Sequence, residues 1–186
     1  MKTDTLDTTK APYAMLQAGY GRPDLLSVVC DHREIYGRVL AANDMYIGIN
    51  ATTLDQVNAK GQSFRVPEDC ILTAIQVMIG AGSVAQSLTA RVGTSDDLTS
   101  FLAEYTRPVI AEAGKWATIL TDRALALSRG TTYYLGLLKQ SADDFRVNLN
   151  MVDIYAEGSY LGGGTGWATI PVSSWDLNFR IYGELT

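Results

Sequence analysis

The chain has a single histidine, His32, so any site in which histidine acts as a base depends on this one residue. His32 lies in the polar stretch Asp31-His32-Arg33-Glu34, which is typical of a solvated turn. This setting favours a surface or interface histidine over a catalytic base. We therefore predict no catalytic residues, and we expect that the chain is not an enzyme.

The two cysteines, Cys30 and Cys70, are far apart in the sequence. Zinc ligands come in closely spaced pairs, and a disulfide scaffold carries many cysteines in a short chain. Neither pattern is present, so two partly buried thiols are favoured over a disulfide and over a metal site.

Two pairs of neighbouring carboxylates, Asp96-Asp97 and Asp143-Asp144, carry the hard oxygen ligands that calcium prefers. Neither pair matches a defined calcium loop, and both fall in predicted turns, where solvated acidic residues are common. We therefore predict no metal ion and no other cofactor.

Two glycine-rich stretches resemble phosphate-binding motifs only superficially. The run Gly162–Gly166 lacks the Gly-Lys-Ser/Thr ending of a phosphate-binding loop and does not open a helix. The pair in Gly19-Tyr20-Gly21 fails the dinucleotide pattern because Asp24 occupies the position of the last glycine. Neither stretch predicts nucleotide binding.

Four aromatic residues lie in or beside the glycine-rich segment 157–174, namely Tyr155, Tyr160, Trp167 and Trp175. Flat aromatic faces stack on sugar rings and also anchor protein interfaces. These four are the candidate contacts with a protein partner or a glycan. The alternative is that one or two of them fold back and cap the end of the domain. Trp116 lies in a predicted strand, which favours a place in the core.

Charge and hydrophobicity exclude several classes of partner. The formal net charge is −5 and no run of lysine or arginine exists, so we predict no nucleic-acid partner. No apolar stretch approaches the ~18 residues of a membrane span, which predicts no membrane insertion. The segment Met1–Lys10 is polar and rich in threonine, unlike a signal peptide, so we expect synthesis in a host cytoplasm without secretion.

The pattern after residue 60 predicts short strands separated by turns. One short helical turn is expected at Leu98–Glu104 and a loop at Glu157–Ser174. The predicted strands are Gln62–Val66, Cys70–Ile79, Ser87–Gly93, Lys115–Thr121, Ala124–Leu127, Thr132–Leu138, Phe145–Ile154 and Leu177–Tyr182.

The first 58 residues give mixed signals. Leu25–Leu40 fits either a helix or a hairpin of two strands, Leu25–Cys30 and Ile35–Leu40, and Gly37 tips the balance towards the hairpin. Met45–Ile49 predicts one more strand. We predict an all-β chain with an irregular N-terminal arm, residues 1–58, that makes contacts on assembly. An antiparallel, jelly-roll-like β-sandwich follows, residues 59–186.

Parts of the predicted domain resemble a recurrent module. The segments that carry the resemblance are Gly61–Pro67, Ile71–Val77, Leu127–Leu135 and Asp176–Gly183. They resemble jelly-roll β-sandwich modules of bacteriophage virion proteins, such as fibre, tail and decoration proteins, and of bacterial surface proteins. The likeness covers roughly residues 60–186.

The resemblance implies a virion structural protein that assembles through protein–protein contacts with other virion proteins and with its own copies. The alternative is a carbohydrate-binding module that recognises a cell-surface glycan through the loop aromatics. Because one fold serves many tasks, the resemblance is more specific for fold than for function.

Overall fold

The structure is a computed structural model that describes residues 37–44 and 50–186. Within these residues the chain contains no helix and folds into thirteen strands. The strands are β1 (Arg38–Asn43), β2 (Ala51–Thr53), β3 (Lys60–Arg65), β4 (Cys70–Met78), β5 (Gln86–Gly93), β6 (Ala103–Val109), β7 (Trp116–Leu127), β8 (Thr132–Lys139), β9 (Arg146–Asn150), β10 (Tyr160–Thr165), β11 (Ala168–Val172), β12 (Asp176–Leu177) and β13 (Phe179–Leu185).

Two main antiparallel sheets form the domain. A four-stranded sheet has the order β1-β13-β4-β7, and a six-stranded sheet has the order β11-β10-β3-β8-β5-β6. A small third sheet joins β12, β9 and β2. Strand β6 also lies beside β7, so the two main sheets approach each other along this edge. The predicted antiparallel β-sandwich is confirmed.

Alternation along the strands explains the burial. In β5 the side chains of Leu88, Ala90 and Val92 are fully buried, whereas Arg91 between them points to the opposite face. The inward residues of the six-stranded sheet join one hydrophobic core with those of the four-stranded sheet, including Ile75. Strands such as β5 and β6 therefore contribute one face to the core, whereas Leu135–Lys139 of β8 are buried on both faces.

A large bulge interrupts the pairing of β4 with β7. Leu72 lies opposite Leu125, whereas Ala74, two residues later, lies opposite Leu120. The Thr121 hydroxyl donates to the carbonyl oxygens of Leu72 and Thr73, both at 2.9 Å, and so satisfies polar groups that the bulge leaves open. The sequence predicts two strands here because the bulge interrupts one long strand.

The helical turn predicted at Leu98–Glu104 is wrong. Leu98 lies in a turn, and Ala103 and Glu104 already belong to β6. Ala103, Tyr105 and Val109 alternate towards the core, so strand pairing with β5 determines the conformation of this segment.

The loop predicted over Glu157–Ser174 is also wrong, because β10 and β11 form a hairpin within it. Glycine permits the close pairing of the two strands. A Cβ at Gly164 would overlap the carbonyl oxygen of Ala168, and a Cβ at Gly162 would lie 2.7 Å from the Tyr160 ring. Gly162 and Gly164, which indicate a loop in the sequence, are therefore sites where backbone and side chains approach closely.

Strands begin before the domain boundary predicted at residue 59. β1 pairs with β13, and β2 pairs with β9, so residues 38–43 and 51–53 belong to the sandwich. The predictions for Leu25–Cys30, His32 and Met45–Ile49, and those for the remainder of residues 1–36, lie outside the described residues. No helix among the described residues is long and apolar enough to span a bilayer.

Candidate functional site

The four aromatic candidates divide between two places. Tyr155, Tyr160 and Trp175 pack into the domain and are here named the inner cluster. Trp167 lies instead against Arg91 on the outer face of the six-stranded sheet. The sequence predicts one site, and the structure separates it into a packed part and a surface part.

Tyr160 and Trp175 form the packed pair of the inner cluster. Tyr160 is 4% exposed, and its ring centroid lies 5.8 Å from that of Trp175. The Tyr160 amide donates to the Trp175 carbonyl oxygen at 2.9 Å, and the Tyr160 hydroxyl forms a hydrogen bond with Thr52. Burial raises the pKa of Tyr160, so its hydroxyl stays protonated and keeps this role.

Tyr155 packs against the core beside Phe179. Its ring meets Phe179 edge-on, with centroids 5.1 Å apart and an angle of 88° between the planes. Its hydroxyl accepts from the Arg65 amide at 3.3 Å. For the inner cluster, the alternative interpretation of aromatic residues that fold back and cap the sandwich agrees with these contacts.

A buried carboxylate holds the chain around Tyr155. Asp176 is fully buried and accepts from the Gln62 side-chain amide at 2.8 Å and from the Ile154 and Tyr155 amides at 2.7 and 2.8 Å. Gln62 in turn accepts from the Leu177 amide at 2.9 Å. Burial raises the pKa of Asp176, and the three N–H donors offset part of that rise. The arrangement satisfies a buried charge and fixes the chain between β9 and β10.

Trp167 sits at the tip of the β10–β11 hairpin. Gly166 before it has φ of 62°, a left-handed conformation that glycine adopts without strain. The Gly166 amide donates to Asn58 Oδ1 at 3.0 Å, and its carbonyl oxygen accepts from the Ala59 amide at 2.7 Å. The hairpin tip is therefore pinned to the segment before β3, and the Trp167 backbone has a fixed position.

Residues 94–102, here named the covering loop, connect β5 with β6 and pair with the same hairpin. The Leu98 amide donates to the Trp167 carbonyl oxygen at 3.0 Å, and the Thr169 amide donates to the Asp96 carbonyl oxygen at 3.0 Å. Leu98 is fully buried beneath this loop. Hairpin and covering loop together form a thin layer over part of the outer face.

Gly136 of β8 makes room for this layer. A Cβ at Gly136 would lie 2.5 Å from Leu98 Cδ1 and 3.2 Å from Trp167 Cζ3. Pairing places Gly136 directly beside Arg91 of β5. Because position 136 has no side chain, the Trp167 indole can pack against the sheet next to the Arg91 guanidinium.

Arg91 is stacked between two aromatic rings. Its guanidinium carbon lies 4.3 Å from the Phe101 centroid and 4.1 Å from the Trp167 ring. Its Nε donates to Glu104 Oε2 at 2.6 Å and its Nη1 donates to the Leu98 carbonyl oxygen at 3.2 Å. The four side chains Phe101, Arg91, Trp167 and Glu104 are here named the outer stack.

The outer stack is accessible at its edges. Phe101 is 41% exposed, and the Glu104 side chain is 37% exposed against 19% for Arg91. Arg91 and Phe101 do not figure among the candidates from the sequence. In the sequence, Arg91 is notable only as a charged residue between apolar residues of β5. The sequence does not show its partners, because these depend on strand register and on the path of the covering loop.

A second stack of the same kind lies on the other sheet. The guanidinium carbon of Arg180 is 4.1 Å from the Trp116 ring, and Arg180 Nε donates to Asp44 Oδ1 at 2.7 Å. Trp116 is partly exposed, so its predicted place in the core is wrong. The reason is strand alternation, which turns Ala117 inward and Trp116 outward.

The acidic pairs serve local structure in the described residues. Asp97 accepts from the Thr99 hydroxyl at 2.6 Å and from the Thr99 amide at 3.1 Å, and these bonds lower its pKa. Asp144 forms an ion pair with Arg146 at 3.2 Å. Within residues 37–44 and 50–186, no group of three or more metal-ligating side chains converges.

Cys70 is buried and unbonded in the core. Burial, together with the neighbouring charge of Asp69, raises the pKa of its thiol to about 11. At neutral pH the thiolate is scarce, so Cys70 is a poor nucleophile and behaves as a small apolar side chain.

Comparison of the chain with models of known protein families and with curated protein sequences found no match.

Proposed function

We propose that this protein is a structural protein of bacteriophage type that assembles through protein–protein contacts, and that the outer stack is one of its contact sites. One observation carries the assignment of the contact site. Arg91 lies between Phe101 and Trp167 on the outer face of the six-stranded sheet, its charge is paired with Glu104, and Phe101 and Glu104 are accessible to a partner. Tryptophan and arginine dominate the energetics of protein interfaces.

Preorganisation supports the same proposal. The hairpin tip is pinned by Asn58 and Ala59, and Arg91 is held by Glu104 and the Leu98 carbonyl oxygen. Side chains that are already ordered lose little conformational entropy when a partner docks. The outer stack is therefore a rigid surface, and a partner that docks on it loses little binding free energy to the ordering of these side chains.

The virion assignment rests on the resemblance carried by segments such as Gly61–Pro67 and Asp176–Gly183. The proposed partners are other virion proteins and further copies of this chain, and the proposed location is the particle. Neither nucleic acid nor the membrane is among the proposed partners.

Quantitative mass spectrometry of purified particles tests the virion assignment. We expect the chain at a fixed copy number per particle, and absence from particles would overturn the assignment. Incorporation of Trp167→Ala and Phe101→Ser then tests the contact site. Trp116→Ala is the matched control, because it removes a tryptophan from the equivalent stack on the other sheet.

Loss of incorporation in the outer-stack variants but not in Trp116→Ala is the expected result. Equal incorporation of all variants would show that the outer stack is not a contact site. Each variant is first checked for folding by its circular dichroism and its cooperative unfolding.

Binding of a cell-surface glycan is the second candidate function, and a specific feature favours it. The Phe101 ring is partly open to solvent, Glu104 Oε1 is not used by Arg91, and the indole N–H of Trp167 has no acceptor among the described residues. An aromatic face beside hydrogen-bonding groups suits a sugar ring. Glycan-array binding that disappears in Phe101→Ala but persists in Trp116→Ala would establish this candidate. An absence of glycan binding by the intact chain would eliminate it.

A further inference from the structure

A cavity of about 620 Å³ lies at one end of the sandwich, away from the outer stack. It is here named the end cavity. Its volume falls within the ~300–1,000 Å³ typical of small-molecule sites. It opens between the turn after β4, the segment before β7, and strands β2 and β9. The residues that line it are Ala51, Met78, Ile79, Ala81, Ala113, Gly114, Arg146 and Asn148.

Asn148 is the uncharged polar side chain in the wall of this cavity. The residue is 7% exposed, and its side-chain amide is open to water at the cavity. Its backbone is fully used, because Asn148 pairs with Ala51 and its carbonyl oxygen accepts from the Asn178 amide at 3.0 Å. A ligand that replaces water at this amide must therefore reproduce its hydrogen bonds.

Gly80 keeps the space beside this amide open. A Cβ at position 80 would lie 2.9 Å from the Cβ atoms of Ala51 and Arg146 and 3.2 Å from Asn148 Oδ1. Even an alanine would therefore crowd the polar end of the cavity.

The wall of the end cavity carries little net charge. Arg146 contributes a guanidinium, but its Nη2 donates to Asp144 Oδ2 at 3.2 Å. Because the arginine is already paired with a carboxylate, a neutral ligand fits better than a free carboxylate. Asn148 both donates and accepts hydrogen bonds, which is the complement of another amide.

We propose that the end cavity binds an acetamido group and that its ligand is an N-acetylated sugar. The acetamido N–H donates to Asn148 Oδ1, and the acetamido oxygen accepts from Asn148 Nδ2. The methyl group lies against the small apolar side chains of Ala51, Ala81 and Ala113. The remaining volume holds the sugar ring, whose hydroxyl groups accept from the free N–H groups of Arg146.

Titration of the full chain with N-acetylglucosamine and its β-1,4-linked disaccharide, followed by NMR chemical shifts, tests this proposal. We expect shifts confined to residues around the end cavity, and no such shifts with glucose or glucosamine at the same concentrations. Failure of both acetylated sugars to bind at millimolar concentration would overturn the proposal.

Two variants test the site itself. Asn148→Leu removes both hydrogen bonds at nearly constant volume, and we expect an affinity at least ~10-fold weaker. Ala81→Trp blocks the exposed mouth of the cavity and should abolish binding without touching the core. Ala85→Trp is its matched control, because Ala85 is also exposed on the same connection but does not line the cavity.

Unchanged affinity in Ala81→Trp would contradict the proposal even if Asn148→Leu fails to fold. Outer-stack variants should bind the acetylated sugars normally. The proposal for the end cavity and the proposal for the protein-contact site can therefore be confirmed or contradicted independently.

Discussion

The inner cluster and the outer stack contain similar side chains, but these side chains have different roles. In the inner cluster, aromatic rings contact other rings and hydrogen bonds tie them to the backbone. In the outer stack, two rings enclose a guanidinium and remain partly open to solvent. Removal of an inner ring should therefore cost stability, whereas removal of an outer ring should cost binding.

Strand geometry accounts for the difference. Tyr160 lies opposite Gln62 of β3, and both side chains point into the sandwich. Trp167 follows Gly166 in the hairpin turn, where strand alternation no longer determines the direction of the side chain. The turn delivers its indole to the outer face, where Gly136 leaves room for it.

Truncation in the inner cluster should give the largest effect. We expect Tyr160→Ala to lower the free energy of unfolding by about 3–5 kcal/mol, because it removes a large buried ring and leaves a cavity. Urea unfolding measures this loss. Tyr160→Phe is the control, with a cost of about 1 kcal/mol for the hydroxyl bond. A loss below about 1 kcal/mol in Tyr160→Ala would place this ring outside the core.

Replacement of the buried carboxylate should give the next effect. In Asp176→Asn the new amide group faces at least one of the N–H donors of Gln62, Ile154 and Tyr155, so a donor loses its acceptor. We expect a loss of about 1–3 kcal/mol in the free energy of unfolding. Amide hydrogen exchange should also accelerate at Ile154 and Tyr155. Unchanged exchange there would show that Asp176 does not hold this segment.

The outer stack should contribute less to stability. We expect Trp167→Ala to lower the free energy of unfolding by about 1 kcal/mol, since an exposed cation–π contact contributes about 0.5–1 kcal/mol. The same unfolding measurement applies, with Trp116→Ala as the matched variant on the other sheet. A cost as large as that of Tyr160→Ala would remove the distinction between the two regions.

The smallest expected effect is the dependence of the free energy of unfolding on pH. Because burial raises the pKa of Asp176 above 3.8, the folded state binds its proton more tightly than the unfolded state does. The contribution of this residue to stability is therefore greatest below pH 3.8. It falls as the pH rises to the raised pKa and is constant above that value. Urea unfolding of the wild-type protein and of Asp176→Asn between pH 3 and pH 6 should show this difference in slope, and parallel curves would contradict it.

The sequence predicts the fold well because the evidence is local. Alternation in β5 and the dense apolar run of β8 identify strands without knowledge of their partners. The hairpin β10–β11 is not predicted, because in the sequence its glycines have the composition of a loop. Only the paired structure shows that Gly164 faces a neighbouring carbonyl group.

The site depends on longer-range relations. Arg91 pairs with Glu104 through the register of β5 and β6, and with Trp167 through a hairpin more than seventy residues away. The sequence identifies Trp167 as a candidate but not Arg91 or Phe101, because no local pattern links them. Asn148 is overlooked for the same reason, since its amide becomes notable only when the end cavity surrounds it.

The glycine at position 136 has a consequence for how this protein can change during evolution. Its backbone does not have a positive φ, so local conformation alone would admit any residue. A methyl group here would lie 2.5 Å from Leu98 Cδ1, so the leucine and the indole above it would have to shift. Substitution at this position should therefore be easiest after loss of the layer above it. Descendants that discard the covering loop should be the first to carry a larger residue at 136.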